Sequence, residues 1–422
     1  MGSDTSAALC LSGGGFRATL FHLGSIRRLN EFGLLAHLGV ISSVSGGSIL
    51  NGILATRWQR LKIDKAGIIT NFDEEIAQPI REFCGTDVRT SILFGTRINP
   101  KNWGKLLCDY FSVSASYLAE SYQSLYQGRR LSDVPSPGNQ TPRFVFCATN
   151  VRTGACWHFH SGAQGRMGDF YTGYCDSGEI RVCDAVAASS AFPIGFGGLR
   201  LKVPDGCSFT RIDPWGIERP ASEKRKDEYS PKADERQILT DGGVYDNLGV
   251  EPVWGKYSLL VSDAGSPFYS VKKNSQFVIP RLRRALEISM AQVGALRKRW
   301  LVDQFVSGRQ SGALWSINTI LEDYRLPDSQ GYPSAIRRLL QGIRTDLNRF
   351  SDGEIAALEN HGYSLTDAAI RSRARNLYPN AAAPFHWPFS AWREESKVSE
   401  ALACSDQRRL LLGIGKYIVG KS

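Results

Sequence analysis

The sequence predicts an α/β layered fold with a mostly parallel central sheet flanked by helices. Three observations carry this. Short apolar runs that read as strands alternate with segments of helical patterning through most of the chain. Glycine clusters stand where two of those strands turn into helices, at Gly13-Gly14-Gly15 and Gly46-Gly47. A length of 422 residues is enough to bury a large core.

Taken in order, Ala7 to Leu11 is the first strand, and the glycine run leads from it into a helix from Arg17 to about Phe32. Val40 to Val44 is the second strand, followed by a helix over roughly Gly47 to Arg60. Arg143 to Thr149 and Ala155 to His160 read as neighbouring strands around the turn Arg152-Thr153-Gly154. A helix is expected at Asp184 to Ala191, a short strand at Arg236 to Thr240, and a buried strand at Ser258 to Val261 ending in Ser262-Asp263. Further helices are expected at Pro280 to Val306 and Glu354 to Leu358. Residues 1–378 are expected to form one large domain with a helical C-terminal part, and residues 379–422 a tail rich in aromatics and proline. The charged run between Glu218 and Arg236, with Glu223-Lys224-Arg225-Lys226-Asp227-Glu228 at its centre, reads as a surface loop, with a lid as the alternative.

Three pieces carry the chemistry. Ser43-Val44-Ser45-Gly46-Gly47 places Ser45 between a strand and a helix, where a serine at a sharp turn needs small neighbours and the helix N-terminus points its dipole at the reacting carbonyl. Gly13, Gly14 and Gly15 expose backbone N–H groups without side-chain obstruction, as donors to a negative oxygen require. A phosphate loop is the rival, but no G-K-[ST] follows and the G-x-G-x-x-G spacing is absent. Asp241-Gly242-Gly243 follows a strand and puts a carboxylate at its C-terminal end. Together these are a nucleophile, oxyanion donors and a base. Arg17, just past the glycine run, either holds the loop through carbonyl or carboxylate contacts or meets a substrate phosphate. Asp246 is a competing acid, although with Asn247 and Gly249 it suits a turn. Only His361 and His386 follow Asp241 in the chain. His361 comes after the capping box Ser351-Asp352-Gly353-Glu354 and is expected to end a surface helix; His386 lies in the tail.

With these motifs the chain resembles the patatin-like phospholipases. The family pattern is G-G-G-x-[KR]-G, G-x-S-x-G and D-G-[GA], in that order, with an A-S-x-A-x-P segment ahead of the aspartate. Ala188-Ser189-Ser190-Ala191-Phe192-Pro193 matches that segment. Ala18 replaces the last Gly of the first pattern, and Ser43 replaces the first Gly of the second. Gly-Gly-Gly-Phe-Arg-Ala is also similar to the cytosolic phospholipase A2 group, while Asp241-Gly242-Gly243 favours patatin. The resemblance implies a phospholipase A type of acyl hydrolase acting through a Ser45–Asp241 dyad without histidine. Gly13 to Gly15 would be the oxyanion hole, Arg17, Gly46 and Gly242 would support the site, and no metal or cofactor would be needed. The alternative is a constitutive lysophospholipase or broad lipid esterase. Ile343-Arg344-Thr345-Asp346-Leu347 through His361-Gly362-Tyr363 also resembles bacterial antiphage effectors of this family, which implies a cyclic nucleotide activator and allows a homo-oligomer.

Composition sets the partners. The formal charge is +10, which suits an anionic phospholipid surface better than nucleic acid in a chain with these motifs. Arg281, Arg283, Arg284, Arg297, Lys298 and Arg299 share one predicted helix, read either as a solvated face or as a nucleotide or membrane contact. Phe385, Trp387, Phe389 and Trp392 either insert at a bilayer interface or cover the domain. Nine scattered cysteines and no secretory signal suggest a reducing cytoplasm, with Cys10, Cys147 and Cys183 as small buried residues. No apolar run reaches the roughly 18 residues of a membrane span. A cytoplasmic protein that works peripherally at the inner face of the membrane is therefore expected.

Overall fold

The computed structural model describes residues 7–90, 92, 114–138, 140–193, 196–212, 218–220, 236–265, 267–268, 277–377, 384–403 and 405. Its sheet contains β1 (Ala7–Leu11), β2 (Val40–Val44), β3 (Arg143–Asn150), β4 (Cys156–His160), β5 (Arg166–Asp169), β6 (Gly173–Asp176), β7 (Leu199–Leu201), β8 (Thr210–Ile212), β9 (Glu218–Pro220), β10 (Gln237–Asp241), β11 (Ser258–Asp263) and β12 (Gly312–Ser316). The order along the main path is β12-β11-β1-β2-β3-β4-β5-β6-β8-β9, with β10 joined to β3 and β7. From β12 to β3 every pairing is parallel. Beyond β3 the sheet continues through antiparallel hairpins, which need only short turns, such as the one around Gly154.

The parallel strands are buried on both faces, as strands covered by crossover helices must be. Alternate residues serve the two sides. Leu9 and Leu11 join the larger apolar cluster, and Ala8 and Cys10 join the smaller one with Val40, Val44 and Val261. The larger side is covered by α1 (Gly15–Glu31), α2 (Gly46–Arg57) and α3 (Val182–Ser190). The smaller side receives Leu301 of the long helix α4 (Val278–Val306). The segment from Glu223 to Glu228, expected as a loop or lid, lies outside the described residues. Cys10, Cys147 and Cys183 are buried free thiols.

The expectation for His361 is corrected. The capping box at Ser351 and Glu354 forms, but the helix it starts, α5 (Asp352–Arg373), runs far past His361 and is buried along nearly all of its length. Its polar side chains are tolerated inside because each has a partner. His361 Nε2 lies 3.0 Å from the Ile317 carbonyl, and burial lowers its pKa to about 4. The Asp367 carboxylate accepts two bonds from the buried Arg28 guanidinium, at 2.9 and 2.6 Å. Glu359 accepts from Arg27 and Arg81. Gly362 does not stop the helix. It lets the backbones of α5 and α1 touch, since a methyl group there would overlap the Phe21 carbonyl, and one on Gly24 would overlap the Glu359 carbonyl. The aromatic tail covers the far side of this crossing: Trp387 and Trp392 pack against the core, and Asn360 exchanges hydrogen bonds with the Phe389 backbone.

Because the two glycines set the distance between α1 and α5, Gly24→Ala or Gly362→Ala should destabilise the fold by about 1–3 kcal/mol, the usual cost of overpacking. Urea unfolding measures this. An unchanged midpoint for both variants would mean that the helices can move apart freely.

Candidate active site

The site forms at the carboxyl ends of β1, β2 and β10. After β2 the chain turns abruptly at Ser45, whose φ of 50° and ψ of −116° lie in a region that non-glycine residues rarely occupy. α2 begins at the next residue. Gly46 is the close neighbour this turn requires, since a Cβ there would overlap the Gly15 carbonyl. The Thr19 hydroxyl donates to the Gly46 carbonyl at 2.8 Å, tying α1 to the turn.

Asp241 ends β10 and is almost fully buried. Its carboxylate accepts from the Gly243 amide at 2.7 Å and lies beside the Ser45 side chain. Burial pushes its pKa up to about 6, against the opposing pull of the Ser45 hydroxyl and the Gly243 amide. Its backbone is fixed as well: the amide donates to the Ala191 carbonyl at 3.0 Å, and the carbonyl accepts from the Thr149 hydroxyl at 2.9 Å. Gly242 lies against the Cys147 carbonyl of β3. Asp246 stands apart, accepting from the amides of Leu248, Val250 and Glu251, and so shapes the turn that follows.

The glycine run splits by role. The Gly13 amide donates to the Asn247 carbonyl at 3.1 Å, which fixes the loop at that point. Among the described residues no acceptor meets the amides of Gly14 and Gly15. Both glycines have positive φ, 145° and 58°. Arg17 takes the first of its two expected roles. It is buried, and its guanidinium donates to the carbonyls of Ala264 at 2.8 Å, Ile343 at 2.8 Å and Gln341 at 3.1 Å. The Phe16 amide donates to the Asp346 carbonyl at 3.0 Å, so the loop rests on residues more than 300 positions away in sequence.

Beneath Ser45 runs a chain of hydroxyls that motif reading missed. Ser189 Oγ accepts from the Ser45 amide at 3.0 Å and donates to the Cys147 carbonyl at 2.6 Å. It also lies 2.9 Å from Ser48 Oγ, which lies 2.9 Å from Ser43 Oγ. Ser43 in turn donates to the Val145 carbonyl and accepts from Asn51. The serine at position 43, an imperfect glycine substitute by motif, is thus an interior hydrogen-bonding residue. The signal available in the sequence was the A-S-x-A-x-P match, which contains Ser189.

An elbow serine beside a buried aspartate at the carboxyl edge of a parallel sheet is an arrangement suited to ester hydrolysis. Within the lipid ester hydrolases, the chain belongs to the patatin-like phospholipase family, whose model matches residues 9–254, more than half of its length. No curated protein matches it. Among solved structures it is similar to human GIVD cytosolic phospholipase A2, at 13% identity and a TM-score of 0.45, covering 96% of this chain and 61% of that one. It is also similar to VipD from Legionella pneumophila, at 15% identity and a TM-score of 0.35, covering 88% of this chain and 67% of that one. The chain thus spans about three fifths of the human enzyme's length.

Two outcomes follow from this geometry. Arg17→Met should leave three buried carbonyls without their donor and cost about 3–5 kcal/mol, read from urea unfolding. Arg17→Lys should recover only part of that, since an ammonium cannot reproduce the guanidinium fork; full recovery would make the tie a matter of charge alone. The second outcome concerns pH. A buried acid whose pKa rises from 3.8 to about 6 holds its proton more tightly when folded. Its contribution to stability is therefore greatest below the unfolded value and is lost as pH climbs through about 6. Ionisation costs the wild type up to about 3 kcal/mol at neutral pH. Asp241→Asn should gain on the wild type in melting temperature between pH 4.5 and pH 7, and parallel curves would show that Asp241 ionises freely.

Proposed function

We propose that this protein is a phospholipase A type of lipid acyl hydrolase that cleaves fatty-acyl esters of membrane phospholipids through Ser45 and Asp241. The observation that carries the reading is the buried Asp241 carboxylate beside a serine on a strained turn, with the Gly14 and Gly15 amides, which meet no acceptor among the described residues, on the adjoining loop. Family membership supplies the lipid substrate class.

In the proposed reaction Asp241 takes the Ser45 proton as Ser45 Oγ bonds to the ester carbonyl carbon. The amides of Gly14 and Gly15 receive the resulting oxyanion. Collapse of the tetrahedral intermediate breaks the bond to the alcohol oxygen, and Asp241 returns its proton to that leaving group. An acyl-Ser45 ester remains. Water then loses a proton to Asp241 and attacks the acyl carbon, releasing the fatty acid and restoring Ser45. A carboxyl with a pKa near 6 suits both halves of the cycle better than an unperturbed one, because it accepts and returns the proton near neutral pH. No histidine is needed in this scheme. His361 is enclosed beside Ile317, and His386 sits on the exterior against Glu31.

The working place in this reading is peripheral, on the cytoplasmic face of a membrane. The narrower expectation of an antiphage effector switched on by a cyclic nucleotide draws no support from the basic helix. Two of its cations are already engaged inside the protein, Arg297 by Asp246 and Glu251 and Lys298 by Asp263.

Ser45→Ala should abolish release of fatty acid from phospholipid vesicles, and Asp241→Asn should lower it by about 10²–10⁴-fold. His386→Ala should remain active. Wild-type turnover should rise as pH passes about 6, when Asp241 loses its proton and becomes the base. A fluorophosphonate that labelled a serine other than Ser45, identified by peptide mass spectrometry, would overturn the assignment.

A further inference from the structure

The helix α4 spans 29 residues, about 43 Å at helical rise, yet among its described side chains only Leu301 is fully buried in the core. A solvated helix of that length ordinarily shows water a polar face. This one does not. Val278, Leu282, Leu296 and Trp300 are 68%, 65%, 59% and 41% exposed. At about 100° per residue they fall, with Val293, within an arc of roughly 60° whose centre lies about 110° around the helix from Leu301. Trp300 stacks on Trp254, and an open recess of about 400 Å³ beside this pair continues the stripe.

Arg281 and Arg299 lie along one edge of the arc and are exposed. Nearby, Arg284 covers the exposed ring of Phe268. Apart from Arg297 and Lys298, which pair with acids of the core, the helix carries four basic residues against two acidic ones. That excess argues against a second copy of the same helix as the covering partner, since two such surfaces repel. It favours an anionic surface with an apolar interior, where side chains of this kind are stabilised together. No described helix is long and apolar enough to cross a membrane, so α4 would lie on the surface rather than span it.

The helix is also fastened close to the candidate site. Lys298 Nζ is 2.8 Å from the Asp263 carboxylate at the end of β11, and the next residue, Ala264, gives Arg17 its carbonyl. We propose that the exposed face of α4 is the surface by which this protein docks on an anionic phospholipid bilayer, bringing the glycine loop to the lipid. The proposal rests on the lipid-hydrolase reading above for its purpose, and on the composition of the helix face for its partner.

The test uses the full chain carrying Ser45→Ala, so that the vesicles are not consumed, with and without Val278→Glu, Leu282→Glu and Leu296→Glu. All three positions are exposed, and unfolding curves should coincide. Sedimentation with vesicles of phosphatidylcholine and phosphatidylglycerol should bind the parent, and the triple variant should lose roughly tenfold or more in partitioning, from lost apolar insertion and added repulsion. Vesicles of phosphatidylcholine alone should bind the parent more weakly. Equal partitioning of parent and variant would overturn the proposal. So would a variant that changes from dimer to monomer by light scattering while its vesicle binding stays the same. With Ser45 restored, the triple variant should hydrolyse a water-soluble short-chain ester as fast as the wild type. Absence of any ester hydrolysis in the wild type would sink the hydrolase reading and leave the binding result standing.

Discussion

Everything at the site depends on where the glycine loop is held, and one buried guanidinium does most of that holding. Arg17 reaches three carbonyls, one at the end of β11 and two in the segment after residue 340. A charged donor taken out of water loses a large hydration energy and keeps its place only if nearly all of that is returned by hydrogen bonds. The loop is therefore not a flexible glycine hinge. It is fixed from three sides, by Arg17, by the Asp346 carbonyl under Phe16, and by the Asn247 carbonyl that takes the Gly13 amide. Amides fixed in this way need little reorganisation when charge develops opposite them.

The same economy of burial governs the acid. Asp241 is enclosed enough to be raised toward neutrality, while the Ser45 hydroxyl beside it and the Gly243 amide bonded to it pull in the other direction. The strained backbone of Ser45 is held by partners that do not touch the hydroxyl itself. Ser189 takes its amide, and the row through Ser48 and Ser43 anchors Ser189 to β3. Positive φ at a non-glycine residue costs about 1–3 kcal/mol, and persists only where the surroundings over-determine it.

Much of this was legible in the sequence. The strands Ala7–Leu11 and Val40–Val44 appear with the expected bounds because each is a compact apolar run closed by small residues. The elbow, the glycine run and Asp241 were readable because their chemistry forces short local patterns, and the structure brings Ser45 and Asp241 together. What could not be read were long-range partnerships. Nothing near Gly13 announces that its amide will meet Asn247, and nothing near His361 announces that α5 is interior. The helix α5 looks polar in sequence because its charges are satisfied by Arg27, Arg28 and Arg81, which belong to other parts of the chain. The charges of α4 misled in the opposite sense, since Arg297 and Lys298 face inward while Leu282 and Leu296 face water.

The order of the sheet has a practical consequence for cutting the protein. The family match ends at residue 254, before β11 begins, yet β11 is hydrogen-bonded along the full length of β1. A fragment ending at residue 254 would turn β1 into a bare outer strand. Its apolar run Ala7 to Leu11 would then offer unpaired amides and carbonyls to any other chain, the usual starting point for aggregation. The chain beyond residue 254 is thus a protective cover for the strand that leads into the glycine loop, and the sensible unit for expression or transplantation includes at least β11 and β12.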